Sequence, residues 1–188
     1  MRNTHTGLIA LLLTVVGVTG CSKPKAIDQA GPSKFVDVAE SSGVAKFVHS
    51  DGASGRKFFI EQMGSGVAVF DYDGDGWMDL YFCSGNALPG YKGPAPSNRL
   101  FRNKRDGSFE DVTEKAGVAG GRYNVGVATG DFDNDGHVDL YLCGYGENQL
   151  FRNNGDGTFT DVTAKAGVGE KRLSSSAAWG DYDGDGDL

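Results

Sequence analysis

The sequence predicts an all-β protein, a β-propeller built from four-stranded antiparallel blades. Three observations predict it: acidic phrases recur along the chain, short runs of β character alternate with turn signals, and 30 of the 188 residues are glycine. Recurrence at long periods is typical of solenoids, propellers and arrays. A glycine share about twice the usual ~7%, together with plentiful aromatic residues, favours a turn-dense β protein over a disordered chain.

The N-terminal segment has the features of a bacterial export signal. Arg2 precedes the apolar run Leu8–Val18, which is shorter than a membrane span of roughly 20 residues but suits the apolar part of a signal peptide. The run ends in Val-Thr-Gly-Cys21, which resembles a lipobox, so residues 1–20 are predicted to be cleaved and Cys21 to be lipidated. The alternatives are an uncleaved membrane helix and an ordinary signal peptide. We therefore expect an exported protein, lipid-anchored to the bacterial membrane and facing the periplasm or the cell exterior.

The segment after Cys21 indicates how the chain is organised, and the net charge indicates which partners it can have. Residues 21–34 mix Lys, Pro, Gly, Ser and Gln, which predicts a flexible tether before a repeat region over residues 35–188. Without the first 20 residues, 17 Lys and Arg stand against 25 Asp and Glu, a balance of −8. This excess of acid disfavours nucleic acid as a partner. Because the acid is concentrated in three short clusters, it indicates cation binding.

The repeat consists of phrases that follow one another in a fixed order. The acidic phrase begins at Asp71, Asp131 and Asp181, so its copies start 60 and 50 residues apart. A Leu-Phe-Arg-Asn phrase follows each of the first two copies, and an Asp-Gly turn then leads into Phe-x-Asp-Val and a closing Ala-Gly-Val. A fainter copy, Phe35–Val38 followed by Ser-Gly-Val, opens the folded region.

Each repeat is predicted to supply four strands. They are placed at 66–70, 79–83, 98–103 and 108–112 in the first repeat, and at 125–130, 139–143, 149–153 and 158–162 in the second. The runs Val67–Phe70 and Leu80–Cys83 are apolar on both faces, as inner strands must be when sheets pack on either side. Asp-Gly between the third and fourth strands predicts a hairpin, since that turn needs positive φ. No helical period is long enough to predict a helix.

Four-stranded sheets that recur about every 50 residues fit propeller blades, of which a closed ring needs roughly four to eight. The chain holds about two and a half, and Leu188 falls inside the third acidic phrase, so the sequence is interpreted as a fragment. Phe35–Val38 would then be the outer strand that completes the last blade of the full ring. An open β-solenoid is the second architecture considered, and the long, uneven spacing argues against it.

The acidic phrases predict calcium sites. Alternate carboxylates in a tight loop converge on one point, and the glycine at the sixth position permits the sharp turn. Hard oxygen ligands favour Ca²⁺, whereas Mg²⁺ is a weaker candidate because it keeps its waters. The predicted ligands are the side chains at loop positions 1, 3, 5 and 9 and the backbone carbonyl at position 7. They are Asp71, Asp73, Asp75, Trp77 and Asp79 in loop I; Asp131, Asp133, Asp135, His137 and Asp139 in loop II; and Asp181, Asp183, Asp185 and Asp187 in loop III, which lacks position 9.

The acidic loops have two other interpretations, an EF-hand and a set of metal-free turns. An EF-hand opens with the same residues but closes with Glu at position 12 and is flanked by helices. Position 12 is Phe82 or Leu142, both in predicted strands, which excludes an EF-hand. The other alternative is a set of metal-free Asx turns, in which four aspartates within nine residues would repel one another in each complete loop.

The remaining polar residues give no sign of catalysis. Cys83 and Cys143 occupy equivalent places and are predicted to be buried strand residues, not a disulfide or catalytic thiols. Arg102 and Arg152 also recur, which indicates repeat packing or pairing with nearby carboxylates. There is no Gly-rich phosphate loop, zinc spacing or nucleophile elbow in the sequence, so we expect a protein that is not an enzyme.

The repeated phrases resemble a known family. Asp-x-Asp-x-Asp-Gly-x-x-Asp-Leu, preceded by Gly-Val-Ala and followed by Leu-Phe-Arg-Asn, Asp-Gly and Phe-x-Asp-Val-Thr, resembles FG-GAP/VCBS repeats. Phe47-Val-His49 and Glu61-Gln-Met-Gly-Ser-Gly66 further resemble the cartilage acidic protein/UnbV-type branch, and the likeness covers about residues 35–188. It implies an integrin-α-like calcium-binding propeller for adhesion or ligand binding, often followed by an ASPIC/UnbV domain. The first repeat departs from the second at Lys104-Arg105, where the second has Asn154-Gly155.

Two functions are therefore expected. The favoured one is a calcium-binding, surface-anchored propeller module that binds a protein or a polysaccharide, because everything that repeats is structural. The alternative is the non-catalytic propeller portion of a larger secreted enzyme whose catalytic part is absent from this chain.

Overall fold

The computed structural model describes residues 35–188, and within that range the chain folds into two four-stranded antiparallel sheets. The predicted signal peptide, the predicted lipidation site Cys21 and the predicted tether lie outside the described residues. Over residues 35–188, no helix has the length and apolar character needed to cross a membrane.

The strands follow the predicted repeat closely. The first sheet contains β1 (Val67–Phe70), β2 (Asp79–Phe82), β3 (Arg99–Asn103) and β4 (Phe109–Asp111), and the second contains β5 (Tyr123–Gly130), β6 (Asp139–Tyr145), β7 (Gln149–Asn153) and β8 (Phe159–Asp161). Each sheet has its strands in chain order. The predicted all-β fold with four strands per repeat is confirmed, and the arrangement is consistent with propeller blades.

The two sheets share one internal register and pack face to face. Leu80 opposite Phe101 in the first sheet corresponds to Leu140 opposite Phe151 in the second. The core between the sheets joins buried side chains of both repeats, among them Phe70, Tyr81, Leu100, Leu140 and Leu142. Strands β1 and β5 come close, since a Cβ on Gly66, which directly precedes β1, would lie 3.2 Å from the Cα of Gly126 in β5. The absence of side chains at both glycines therefore permits this close approach of backbones.

Three single-turn helices are the part of the fold that the sequence analysis missed. They are α1 (Ala39–Ser42), α2 (Thr113–Ala116) and α3 (Thr163–Ala166), and 3₁₀ turns cover Val44–Lys46 and Phe59–Gln62. Each α-helix directly follows a Phe-x-Asp-Val phrase and ends at a glycine with positive φ: Gly43 at 83°, Gly117 at 76° and Gly167 at 72°. A single turn is too short to show helical periodicity, so only the terminal glycine could have signalled it.

The N-terminal copy of the phrase reproduces the helix but not the strand. Phe35–Val38 is not a strand in the described range, and Phe35 and Val38 are 99% and 56% exposed, whereas Phe159 is 8% exposed. A Cβ on Gly43 would lie 3.2 Å from the carbonyl oxygen of Phe109, much as one on Gly117 would lie 3.5 Å from that of Phe159. The helix thus meets the first sheet as α2 meets the second, while the predicted outer-strand role of Phe35–Val38 stays a prediction.

The unequal repeat spacing comes from one connection. Residues 83–98 join β2 to β3, whereas residues 146–148 join β6 to β7. The longer connection packs against residues that precede β1: the Gly85 N–H donates to the Ser50 carbonyl at 2.9 Å, and the Ser50 and Tyr91 hydroxyls lie 3.4 Å apart. Since consecutive antiparallel strands alternate direction, this layer lies at the end of the sheet opposite the acidic loops.

Candidate metal centres

The acidic loops occupy equivalent places in the two sheets. Loop I connects β1 to β2 and loop II connects β5 to β6. In each loop three carboxylates come together, with one oxygen of each within 4.8 Å of the others. These clusters are Asp71, Asp73 and Asp79; Asp131, Asp133 and Asp139; and, in loop III, Asp181, Asp183 and Asp185. Each cluster could therefore hold a metal ion.

The first aspartate folds its own loop. Asp71 accepts the N–H groups of Asp75 at 3.0 Å and Gly76 at 2.7 Å, and Asp131 accepts those of Asp135 at 3.0 Å and Gly136 at 2.8 Å. Gly76 and Gly136 have φ of 85° and 88°, a conformation that side chains rarely adopt. The loop is therefore shaped by its own backbone donors and by the glycine, of which only the glycine's role was predicted from the sequence.

The ninth-position aspartates tie the loops to the neighbouring strands. Asp79 is 1% exposed and accepts the N–H groups of Tyr72 at 3.1 Å and Asn103 at 2.7 Å. Asp139 is fully buried and accepts those of Phe132 at 3.0 Å and Asn153 at 2.7 Å. Each carboxylate thus joins the second residue of its loop to the end of the third strand.

Burial controls the ionisation of these two carboxyls. It raises the pKa of Asp139 to about 6, because the two N–H donors only partly offset the loss of water and Asp133 and Asp135 add further negative charge. The same cause raises the pKa of Asp79. A nearby cation would favour the ionised form of both.

The fifth-position aspartates are not part of the clusters in loops I and II. Asp75 accepts the N–H of Trp77 at 2.9 Å, and Asp135 accepts that of His137 at the same distance. In loop III, by contrast, Asp185 belongs to the cluster. The structure therefore gathers positions 1, 3 and 9 of the predicted ligand set in the complete loops. Asp187 instead accepts a hydrogen bond from the Asn134 side chain, which connects loop III to loop II.

The donor set fits calcium. All clustered ligand atoms are carboxylate oxygens, the ligands that Ca²⁺ prefers. Oδ1 of Asp73 is buried without a hydrogen-bond partner among the described residues. A buried polar atom without a partner is uncommon, and an ion is one way of satisfying it.

Arginines pair with the loops, as predicted for Arg102 and Arg152. Nε of Arg102 lies 2.7 Å from Oδ2 of Asp73, and Nη1 of Arg152 lies 3.9 Å from Oδ2 of Asp133. Arg105, for which the sequence analysis assigned no role, places Nη2 2.7 Å from Oδ2 of Asp75. The side-chain hydrogen bond from Arg105 lowers the pKa of Asp75. The only sequence signal for this contact was that the first repeat has Lys104-Arg105 where the second has Asn154-Gly155.

Two asparagines of the Leu-Phe-Arg-Asn phrase also support the loops. The Asn103 side chain donates to the Met78 carbonyl at 3.0 Å, and the Asn153 side chain donates to the Val138 carbonyl at 3.1 Å. Asn153 in addition donates to the Tyr72 carbonyl at 2.8 Å, which links the second sheet to loop I. Recurrence of the asparagine in both repeats was the signal for this role.

An apolar cavity of about 310 Å³ lies at the opposite end of the sheets. Its lining is Phe58, Phe59, Ile60, Leu88, Pro89, Tyr145 and Leu173. Phe59 and Tyr145 are 72% and 58% exposed, so aromatic surface is open to solvent there.

Four-stranded sheets that recur with an acidic loop between their first two strands define a β-propeller-type repeat module. Residues 71–142 and 131–188 match the family model of the FG-GAP-like repeat. Together these matches cover more than half of the chain, which therefore belongs to the FG-GAP-like repeat family. No curated protein gives a significant match to the chain.

Proposed function

We propose that the protein is a calcium-binding β-propeller module, anchored at the cell surface, that binds a protein or a polysaccharide and has no catalytic role of its own. The observation that carries the calcium proposal is the recurrence of one carboxylate cluster on the same connection of both sheets. The two sheets are, in this proposal, consecutive blades. The buried, unpartnered oxygen of Asp73 supports it further.

Calcium would act as a structural staple. Asp79 and Asp139 already hydrogen-bond to the backbone at the ends of β3 and β7, so an ion held by either residue would connect the loop to that strand. Extracellular calcium modules bind with Kd of about 10⁻⁴ to 10⁻³ M, which gives sites that are filled at ambient calcium and are poor sensors.

The ligand of the module is proposed to bind at the end opposite the acidic loops. Phe59 and Tyr145 supply exposed aromatic surface beside an apolar cavity, and such exposed apolar patches mark interaction sites. The resemblance of residues 47–66 to the cartilage acidic protein/UnbV-type branch agrees with an adhesive role. Phe59→Ser with Tyr145→Ser should abolish binding to polysaccharide-coated or protein-coated surfaces, and unchanged binding would place the ligand elsewhere.

Export and lipid anchoring at Cys21 complete the proposal. The apolar run before Cys21 and the lipobox-like tetrapeptide support it. Metabolic labelling with a fatty-acid analogue should mark the wild-type chain and not Cys21→Ser. Labelling of that variant would show that the anchor lies elsewhere.

Thermal unfolding with and without calcium tests the metal proposal. Ligand at ten times its Kd stabilises a protein by about 1.4 kcal/mol per site, so millimolar calcium should raise the Tm by several degrees over chelator. Asp73→Asn with Asp133→Asn should remove most of this rise, because both complete clusters lose a ligand.

The control is Asp106→Asn with Asp156→Asn, which changes the same charge in the hairpin turns outside the acidic loops. This control should keep the full calcium-dependent rise in Tm. An equal rise in the Asp73/Asp133 variant, or no rise in the wild-type chain, would contradict the proposal.

A further inference from the structure

We propose that loops I and II are unequal calcium sites, and that Arg105 makes loop I the weaker one by acting as a built-in counterion. This inference rests on the proposed calcium binding and adds to it which loop fills first. It concerns two loops whose internal hydrogen bonds are the same, so that the difference lies in what surrounds them.

The arginines around the two loops differ in number and distance. In loop I, Arg105 contacts Asp75 at 2.7 Å, and Arg102 contacts Asp73 at 2.7 Å and Asp75 at 3.6 Å. In loop II, Arg152 lies 3.9 Å from Asp133, and within residues 35–188 no other ion pair involves this loop. Two guanidinium groups therefore offset the charge of loop I, and a single, more distant one offsets that of loop II.

Arg105 also engages the fifth-position carboxylate of loop I in an ion pair. Asp75 is outside the group formed by Asp71, Asp73 and Asp79, and its Oδ2 is held by Arg105. To join a bound cation, Asp75 must give up that ion pair. Asp135 of loop II is also outside its cluster, but it has no ion pair in the described part of the chain to break.

The second repeat has glycine at the place of Arg105. Arg105 and Gly155 both adopt positive φ, 65° and 73°, so the backbone of the turn is the same in both repeats. The ring of His137 fills the space over Gly155, where an added Cβ would lie 2.4 Å from Nε2. A side chain at position 155 would therefore have to displace His137, whereas loop I accommodates the arginine.

The test uses the residues that the second repeat supplies. Each loop is measured in the full chain after the others are weakened: loop I with Asp133→Asn and Asp183→Asn, and loop II with Asp73→Asn and Asp183→Asn. Isothermal titration with Ca²⁺ should give a Kd for loop I on the order of tenfold higher than for loop II, since one more close cation repels the ion.

Arg105→Gly should lower the Kd of loop I about tenfold and leave loop II unchanged. Lys104→Asn is the matched control, because it removes the same charge from the same turn. The Lys104 side chain contacts Asp106 and not the acidic loop. Arg105→Asn, which also tolerates positive φ, repeats the test if the glycine variant folds poorly.

Equal affinities of the two loops, or an equal effect of Arg105→Gly and Lys104→Asn, would overturn this inference and leave calcium binding intact. Failure of both loops to bind calcium would overturn the proposed function together with it.

Discussion

The first and second repeats fold their acidic loops with the same hydrogen bonds yet differ in what borders those loops. Position 1 accepts two backbone N–H groups in both, and position 9 accepts one from the loop and one from the third strand, with distances that agree within 0.1 Å. The difference beside the loops is the arginine in the hairpin turn, whereas the longer β2–β3 connection lies at the opposite end of the sheet. Backbone bonding thus fixes the loop, and nearby charge can vary without changing its shape.

The largest effect should come from removing a ninth-position carboxylate. Asp139→Ala leaves the N–H groups of Phe132 and Asn153 without their acceptor at a buried place, so we expect a loss on the order of 3 kcal/mol in the free energy of unfolding. The measurement is urea denaturation in chelator, where no calcium contributes. Asp79→Ala should cost a similar amount, because its bonds are equivalent.

The control for this prediction is Asp183→Ala, which changes an exposed aspartate of loop III and should shift the free energy by less than about 0.5 kcal/mol. A large difference between Asp79→Ala and Asp139→Ala would break the equivalence of the two loops. Wild-type stability in both variants would show that the carboxylates do not hold the connection to the third strand.

A smaller effect should separate the two repeats. Tyr81 and Tyr141 are equivalent, and each donates to a backbone carbonyl and accepts from an asparagine: Tyr81 to Val118 at 2.7 Å, Tyr141 to Val168 at 3.1 Å. Tyr81 is fully buried, whereas Tyr141 is half-buried. Tyr81→Phe should therefore cost about 2 kcal/mol and Tyr141→Phe about 1 kcal/mol or less, because water can replace the partner only at Tyr141.

Urea denaturation of the two Phe variants measures this difference. The stability of each Phe variant is compared with that of the wild-type chain. Phe101→Tyr is not used as a reference, because it would add a hydroxyl at a buried position. Equal losses would mean that exposure does not decide the cost of the missing hydroxyl.

The sequence predicts the parts of the molecule in which short-range chemistry decides the structure. Short runs of β character and the turn signals between them place all eight strands of the described range within two residues of their observed ends. The acidic phrase likewise predicts that Asp71, Asp73 and Asp79 converge. Both follow from neighbours along the chain, which are visible in the sequence.

What the sequence does not predict depends on contacts across the chain. Arg105 reaches Asp75, thirty residues earlier, and Asn153 reaches Tyr72 of the other repeat. Asp75 and Asp135 both lie outside their clusters, and the feature they share is a local bond to the N–H of Trp77 or His137. Ligand spacing alone therefore overstated how many carboxylates converge before an ion binds.

The smallest effect concerns the two equivalent cysteines, which are free and buried, as predicted. Burial raises the pKa of Cys83 to about 12 and raises that of Cys143 as well. Because the thiolate is the reactive form, iodoacetamide at about pH 8 should label neither residue in the native chain and both after unfolding. Peptide mass spectrometry measures the labelling of each site.

Prolonged labelling should distinguish the repeats, with Cys143 reacting before Cys83. Sγ of Cys83 lies 3.7 Å from the carbonyl oxygen of Gly126, within strand β5, so opening of the second sheet must precede its exposure. Sγ of Cys143 and the carbonyl oxygen of Ser175 both lie next to Gly126, so the segment that contains Ser175 covers Cys143. This segment, residues 174–179, forms no strand. A covering segment without ladder hydrogen bonds opens more readily than a strand. Faster labelling of Cys83 would show that the packing of β5 over Cys83, and not the segment that covers Cys143, is the weaker part of the fold.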